Sequence, residues 1–202
     1  MKIAFLDRDG VINKFPGNGN YVTKVKDFHF IPGSLEAIRL LTEGGYTIFV
    51  VSNQAGVGKG LFTQKKLDQI TSKMLKEVKR TGGEIREVYY STARSDADCE
   101  DRKPNIGSIR KAVKLLKEDM RIAKNSYFVG DTVTDMATGR NAGCTTIFVL
   151  SGRSDTDRLK EKKIKPDYVA KNLLAAAKIM LSDMAGTKEP SDPKITAADI
   201  SE

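Results

Sequence analysis

The sequence predicts an α/β fold built on a mostly parallel sheet with helices on both faces. Two observations carry that expectation. Short apolar runs such as Lys2 to Leu6 and Tyr46 to Val51 have the length and continuity of strands buried on both sides. Between successive runs lie segments whose apolar residues recur at helical spacing, and this alternation continues along the chain.

The elements follow in order. Lys2 to Leu6 is the first strand and leads directly into Asp7-Arg8-Asp9-Gly10. Pro32-Gly33 precedes a helix over Ser34 to Glu43, which places Leu35, Ile38 and Leu41 at helical spacing and Ser34 at the expected N-cap. Gly44-Gly45 separates that helix from the strand Tyr46 to Val51, which runs out into Ser52-Asn53. Gln64 to Arg80 is amphipathic and closes at Gly82-Gly83; Ile85 to Tyr90 reads as a strand and Ile106 to Glu118 as a helix. The strand Ser126 to Val129 ends in Gly130-Asp131. A helix from about Thr134 to Asn141, closed by Gly143, then leads to the strand Thr145 to Leu150.

After Gly152 the chain is strongly basic from Arg158 to Lys165, with Asp167 to Ala170 as a final edge strand and Asn172 to Met184 as a last helix. The arrangement is Rossmann-like, a single domain over residues 1–185. Residues 186–202, polar and containing Pro190 and Pro193, are expected to form a flexible tail.

A chain of 202 residues buries about 70% of its unfolded surface, enough for one substantial core. No segment reaches the roughly 20 apolar residues of a membrane span, and the charges of Asp7, Arg8 and Asp9 interrupt any early leader-like run, so a cytoplasmic protein is expected. Cys99 and Cys144 are too few for a stapled scaffold and are expected to stay reduced. The formal net charge of +8 favours anionic partners. Its lysines are spread over several helices with no basic stripe interleaved with aromatics, which argues against a dedicated nucleic-acid groove.

Polar loops lie where a parallel sheet binds ligands, beyond the carboxyl ends of strands. Asp7-Arg8-Asp9 follows the first strand, Ser52-Asn53-Gln54 the second, and Gly130-Asp131-Thr132-Val133-Thr134-Asp135 the strand from Ser126; Arg102-Lys103-Pro104 precedes a helix. Any one of these is an ordinary solvated turn; the ordered set is not.

In that set the chain resembles the haloacid dehalogenase superfamily, whose motifs are Asp-x-Asp, Ser or Thr, Lys, and an acidic pair. They stand here as Asp7 with Asp9, Ser52, Lys103, and Asp131 with Asp135. The runs FLDRDGVIN, VVSNQAGVGKG, DRKPNIG and VGDTVTDM are most similar to nearly capless members that include heptose-1,7-bisphosphate 7-phosphatases and histidinol phosphatases. The resemblance implies a sheet with a minimal cap or none and a Mg²⁺-dependent phosphatase of small phosphorylated metabolites; a monomer is expected separately, since the sequence shows no large self-association helix. The resemblance also implies residue roles. Asp7 would be the nucleophile that forms an aspartyl phosphate, and Asp9 the acid and then the base. Ser52 and the Asn53 backbone would bind phosphate oxygens, Lys103 would neutralise charge, and Arg102 would be a second cationic contact. Mg²⁺ would be held by Asp7, the Asp9 carbonyl and Asp131, with Asp135 orienting its water.

Two departures bear on the substrate. Relatives carry a zinc loop of cysteines and a histidine before the motif lysine; the stretch from Tyr90 to Asp101 has only Cys99, so no structural zinc is expected. Arg94, Asp96 and Asp98 in that stretch form either a specificity wall or a solvated connection. Thr132 stands where such enzymes often place a lysine, with Lys59 and Lys14 as possible compensating charges. Tyr21 borders the expected pocket, and His29, the single histidine, is expected in a packing or turn role. A sugar bisphosphate is the first substrate expected, with histidinol phosphate and a nucleic-acid 3′-phosphate as alternatives. A noncatalytic phosphate-binding regulator is the reading from a different class.

Overall fold

In the computed structural model, which describes residues 1–153 and 155–185, strand β1 (Lys2–Leu6) sends alternate side chains to opposite faces of a parallel sheet. Ala4 and Leu6 join a core layer with α1 (Ser34–Glu43), α2 (Gln64–Arg80) and α6 (Leu173–Ala185), through Ile38, Leu41, Ile70, Met74, Leu173 and Met180. Ile3 and Phe5 join the opposite layer, which holds Ile109, Ala112 and Val113 of α3 (Gly107–Leu115) and Ala142 of α4 (Val133–Ala142). Both faces of β1 are therefore apolar, as the unbroken hydrophobic run requires.

Six parallel strands lie in the order β3-β2-β1-β4-β5-β6, where β2 is Tyr46–Asn53, β3 Glu87–Ser91, β4 Ser126–Gly130, β5 Thr145–Val149 and β6 Tyr168–Ala170. The winding direction reverses between β1 and β4, which places a crevice beyond their carboxyl ends. Asp7 follows β1 and Asp131 follows β4, so both carboxylates arrive at that switch point. The Asp7 amide donates to the Val129 carbonyl at 3.0 Å, extending the pairing of the two strands into the loop.

Phe5 stacks on Phe49 of β2 and Phe128 of β4, with ring centroids 5.8 and 6.3 Å apart, and Phe49 meets Tyr89 of β3 at 6.1 Å. This row of rings ties four adjacent strands together under the crevice.

Several boundaries differ from the sequence expectation. Gly33, not Ser34, is the N-cap of α1: it takes φ 85° at the end of a turn closed by Ser34 N–H to the Ile31 carbonyl, and Ser34 becomes the first helical residue with its hydroxyl buried. The strand β2 continues through Ser52 and Asn53 because both pair with β3. The helix α3 starts at Gly107 and stops at Leu115, before Lys117 enters the left-handed region at φ 59°. The basic stretch contains a short helix, α5 (Thr156–Glu161), that periodicity did not reveal because Leu159 is its one buried residue. Short 3₁₀ turns at Val25–Asp27 and Met120–Asn125 were likewise unforeseen. The tail expected over 186–202 lies outside the described residues. Among those described, no helix is long and apolar enough to cross a membrane.

Phe5 sits at the middle of the ring row and is fully buried. We expect Phe5→Ala to lower the unfolding free energy by about 3–5 kcal/mol, measured by urea titration.

Candidate active site

Four charged side chains, three from loops and one from the first turn of α4, meet at the switch point. Asp7 Oδ1 accepts the Arg8 amide at 2.7 Å and lies 3.0 Å from Lys103 Nζ. That ammonium also donates to Asp135 Oδ1 at 2.5 Å. Asp135 Oδ2 accepts from the Thr132 amide at 3.1 Å and hydroxyl at 2.6 Å, and the Asp135 amide donates back to Thr132 Oγ1, a reciprocal cap that starts α4. Asp131 Oδ2 accepts the Arg153 amide at 2.6 Å, whereas its Oδ1 is buried without a partner. Gly152 packs so closely against Asp131 that a β-carbon there would collide with the carboxylate.

Burial raises the Asp7 pKa from 3.8 to about 6; Lys103 opposes this and Asp135 reinforces it. Burial, then Asp135 and Asp7, hold Asp131 well above the usual carboxylate range. For Lys103, burial alone favours the neutral amine, but Asp135 and Asp7 outweigh it and its pKa rises. One fixed cation thus stands among three carboxylates.

Asp7, Asp131 and Asp135 are the only His, Cys, Asp or Glu group among the described residues with ligand atoms close enough to hold one ion, all within 4.8 Å of one another. The all-oxygen donor set, the excess negative charge and the unpartnered Asp131 oxygen fit Mg²⁺. Asp9 contributes no side chain to the cluster. Its carboxylate turns to Arg8, Gln54 and Asn13, and its carbonyl takes part in none of the loop's backbone hydrogen bonds.

A cleft of about 240 Å³ opens above the cluster, lined also by Asp9, Ser52, Asn53 and Arg102. The Asn53 side chain donates to the Lys103 carbonyl at 3.1 Å and accepts its amide at 3.0 Å, which locks the loop after β2 to the loop carrying Lys103. Arg102 donates to the Ala93 carbonyl at 3.1 Å. Tyr21 lines the cleft, and the exposed Lys59 sits outside the lining, its ammonium 5.7 Å from the Tyr21 ring centre. Lys14 and His29 are exposed and do not line the cleft.

The stretch from Tyr90 to Asp101 closes by hydrogen bonds. Ser91 Oγ meets Cys99 Sγ at 3.6 Å, Asn105 donates to the Cys99 carbonyl, the Gly107 amide donates to the Glu100 carbonyl, and Lys111 pairs with Asp101. Arg94, Asp96 and Asp98 are exposed, with Arg94 paired to Asp96, and none of them lines the cleft. Sequence reasoning missed Arg153, which lines the cleft from the loop after β5, and missed the buried set Arg8, Gln54 and Asn13. The glycine-flanked polar loop after a strand signalled Arg153; nothing local signalled the burial of Arg8.

Comparison with known proteins agrees with this geometry. Residues 101–176 match the HAD-hydrolase-like family. The chain is 30% identical over 187 residues to D-glycero-alpha-D-manno-heptose-1,7-bisphosphate 7-phosphatase of Photorhabdus laumondii, covering 89% of this chain and 97% of that protein. It is 32% identical to the D-glycero-beta-D-manno counterpart of Pasteurella multocida, covering 89% and 96%. The crystal structure of D,D-heptose 1,7-bisphosphate phosphatase from B. bronchiseptica with magnesium and phosphate superimposes with a TM-score of 0.82 at 29% identity, covering 91% of this chain and 99% of that one.

The raised Asp7 pKa makes a stability prediction for the metal-free protein. A carboxyl group that binds its proton more tightly when folded imposes no penalty below 3.8 and its full penalty above about 6, so stability falls as pH rises through that window. We expect metal-free Asp7→Asn to melt higher than the unmodified protein at pH 7, with the gap closing towards pH 4 in calorimetry. Added Mg²⁺ should raise the melting temperature of the unmodified protein more than that of the variant.

Proposed function

The chain belongs to the haloacid dehalogenase superfamily of phosphatases, in the group related to heptose-1,7-bisphosphate 7-phosphatases, and from that premise we propose its preferred substrate and the part each site residue plays. It is a magnesium-dependent phosphomonoester hydrolase acting on a small phosphorylated metabolite. The substrate we propose is a sugar bisphosphate, D-glycero-D-manno-heptose 1,7-bisphosphate first. The observation that carries this reading is the position of Asp7, in contact with Lys103 and beside two further carboxylates, at the floor of a compact cleft also lined by Arg102 and Arg153. A cleft of about 240 Å³ suits a metabolite better than an oligonucleotide, which needs an extended positive groove.

Asp7, Asp131 and the Asp9 carbonyl, beside Asp135, would hold Mg²⁺, which when bound would supply the positive charge that lets a dianionic phosphate approach a carboxylate. In the first step an Asp7 oxygen forms a bond to phosphorus as the bond to the sugar oxygen breaks, and Asp9 gives its proton to that departing oxygen. In the second, Asp9 as carboxylate takes a proton from the water that attacks phosphorus, and Asp7 is released with inorganic phosphate. The Ser52 hydroxyl and the Asn53 amide bind non-bridging oxygens, and Lys103 balances charge on the phosphoryl group and on Asp7. Arg102 in the cleft and Lys59 at its rim are the cations we assign to the second phosphate. We assign the chain a monomeric, cytoplasmic role: its two cysteines are unpaired, and the exposed Leu61, Leu75 and Leu115 lie apart, in the loop before α2, in α2 and at the end of α3.

The test is phosphate release, with Mg²⁺ present, from heptose 1,7-bisphosphates, histidinol phosphate, other sugar phosphates and 3′-phosphorylated oligonucleotides. We expect the highest kcat/KM for a bisphosphate sugar; preference for an oligonucleotide or for histidinol phosphate would replace the substrate assignment. Asp7→Asn should lower kcat by at least about 10³-fold while the protein stays folded, and normal turnover by that variant would refute the covalent step. Lys103→Ala should lower kcat/KM by about 10²–10³-fold, chiefly through kcat.

A further inference from the structure

Arg8 is the largest fully buried side chain among the described residues, yet it lies between two residues of the reaction and does not line the cleft. Its guanidinium donates to Asp9 Oδ1 from Nε at 3.2 Å and from Nη2 at 3.0 Å, and Nη2 also lies 3.0 Å from Asp9 Oδ2. The same Nη2 donates to Gln54 Oε1 at 3.0 Å, and the guanidinium carbon lies 5.5 Å from the centre of the Tyr90 ring. Gln54, itself buried, completes the circuit: its Nε2 donates to Asp9 Oδ2 at 2.8 Å and reaches Ser52 Oγ at 3.3 Å. Asn13 Nδ2 donates to Asp9 Oδ1 at 2.8 Å. Both oxygens of Asp9 are therefore gripped from behind, while its side chain keeps 16% exposure and lines the cleft.

A packing role alone explains this poorly. Burying a guanidinium carries a desolvation penalty, and an apolar side chain of similar volume fills such a site at lower cost. One nitrogen, Nη1, is even left without a partner. What the arrangement provides that an apolar residue would not is orientation, because a planar fork fixes the plane of the carboxyl group it holds.

We propose that Arg8, together with Gln54, is a positioning residue for catalysis that holds the Asp9 carboxyl group in the orientation from which it protonates the departing oxygen. The inference rests on the reading of Asp9 as the general acid. In the step it serves, the Asp7 oxygen–phosphorus bond forms, the phosphorus–oxygen bond to the leaving group breaks, and the Asp9 proton moves to that leaving oxygen. Arg8 exchanges no proton and contacts no reacting atom.

A leaving group that departs as a stable anion needs no proton, whereas a basic one does, so loss of positioning is selective. The experiment compares kcat/KM for 4-nitrophenyl phosphate and phenyl phosphate, two probes of nearly equal shape, in the Mg²⁺-loaded protein and in Arg8→Met, Arg8→Lys, Gln54→Met and Asp9→Asn. We expect the ratio of the 4-nitrophenyl to the phenyl value to rise at least about tenfold in Arg8→Met and less in Gln54→Met. Arg8→Lys should recover part of the loss, since an ammonium keeps the charge but not the fork. Should Arg8→Met fail to fold, as read by its melting curve, Gln54→Met decides alone, because it removes a neutral group from the same circuit. Equal losses on both probes, or no loss on either, would overturn the inference. The Asp9→Asn control separates the two failures: if it raises the ratio and the Arg8 and Gln54 variants do not, only the positioning role falls. If Asp9→Asn leaves the ratio untouched, the assignment of Asp9 falls and the positioning role with it.

Discussion

An excess of buried negative charge governs the carboxyl end of the sheet. Asp7, Asp131 and Asp135 come within reach of a single ion, and Lys103 is the cation in contact with Asp7 and Asp135. Ions removed from water are costly unless they are paired and hydrogen-bonded, and the surrounding loops supply donors accordingly. The Arg8 amide serves Asp7, the Arg153 amide serves Asp131, and the Thr132 amide and hydroxyl serve Asp135. A divalent cation would offset the remaining negative charge, and with it in place a dianionic phosphate could approach Asp7, so binding energy is directed at the reacting group.

The geometry that gathers these groups comes from the sheet. A carboxylate after β1 and another after β4 would be far apart in a sheet wound in sequence order; they are neighbours because the strand order reverses between them. The ring row of Tyr89, Phe49, Phe5 and Phe128 stiffens those same strands on one face. The Asn53 side chain then joins the phosphate-facing end of β2 to the backbone of Lys103, so the two loops share one frame of reference.

Much of this was legible in the amino-acid order. Apolar runs marked β1 and β2 because strands covered on both faces leave little room for polar alternation. Helix α2 was read to its ends because its buried residues Leu67, Ile70, Met74 and Val78 keep a strict helical spacing. The polar loops beyond the strands marked the site for the same topological reason. Helix α5 was hidden because one buried leucine cannot register a period. The N-cap of α1 was misplaced because a turn formed by Pro32-Gly33 ends where the helix begins, and a serine next to it looks like a cap. Arg8 was invisible as a buried group, since the partners that make its burial tolerable, Gln54 and Tyr90, come from other strands' loops and ends. Long-range satisfaction of a charge leaves no trace in local pattern.

Asp135 does two things with two oxygens: one closes the first turn of α4 through Thr132, and the other binds the ammonium of Lys103. The same carboxyl group therefore belongs to the folding of a helix and to the electrical balance of the reaction. Natural variation at this position would be judged twice, and few side chains would pass both judgements. Side chains at the mouth of the cleft, such as those of Tyr21 and Arg102, carry no such double duty. Substitutions that change which phosphate ester is accepted without disturbing the fold are therefore expected at the mouth of the cleft, not at its floor.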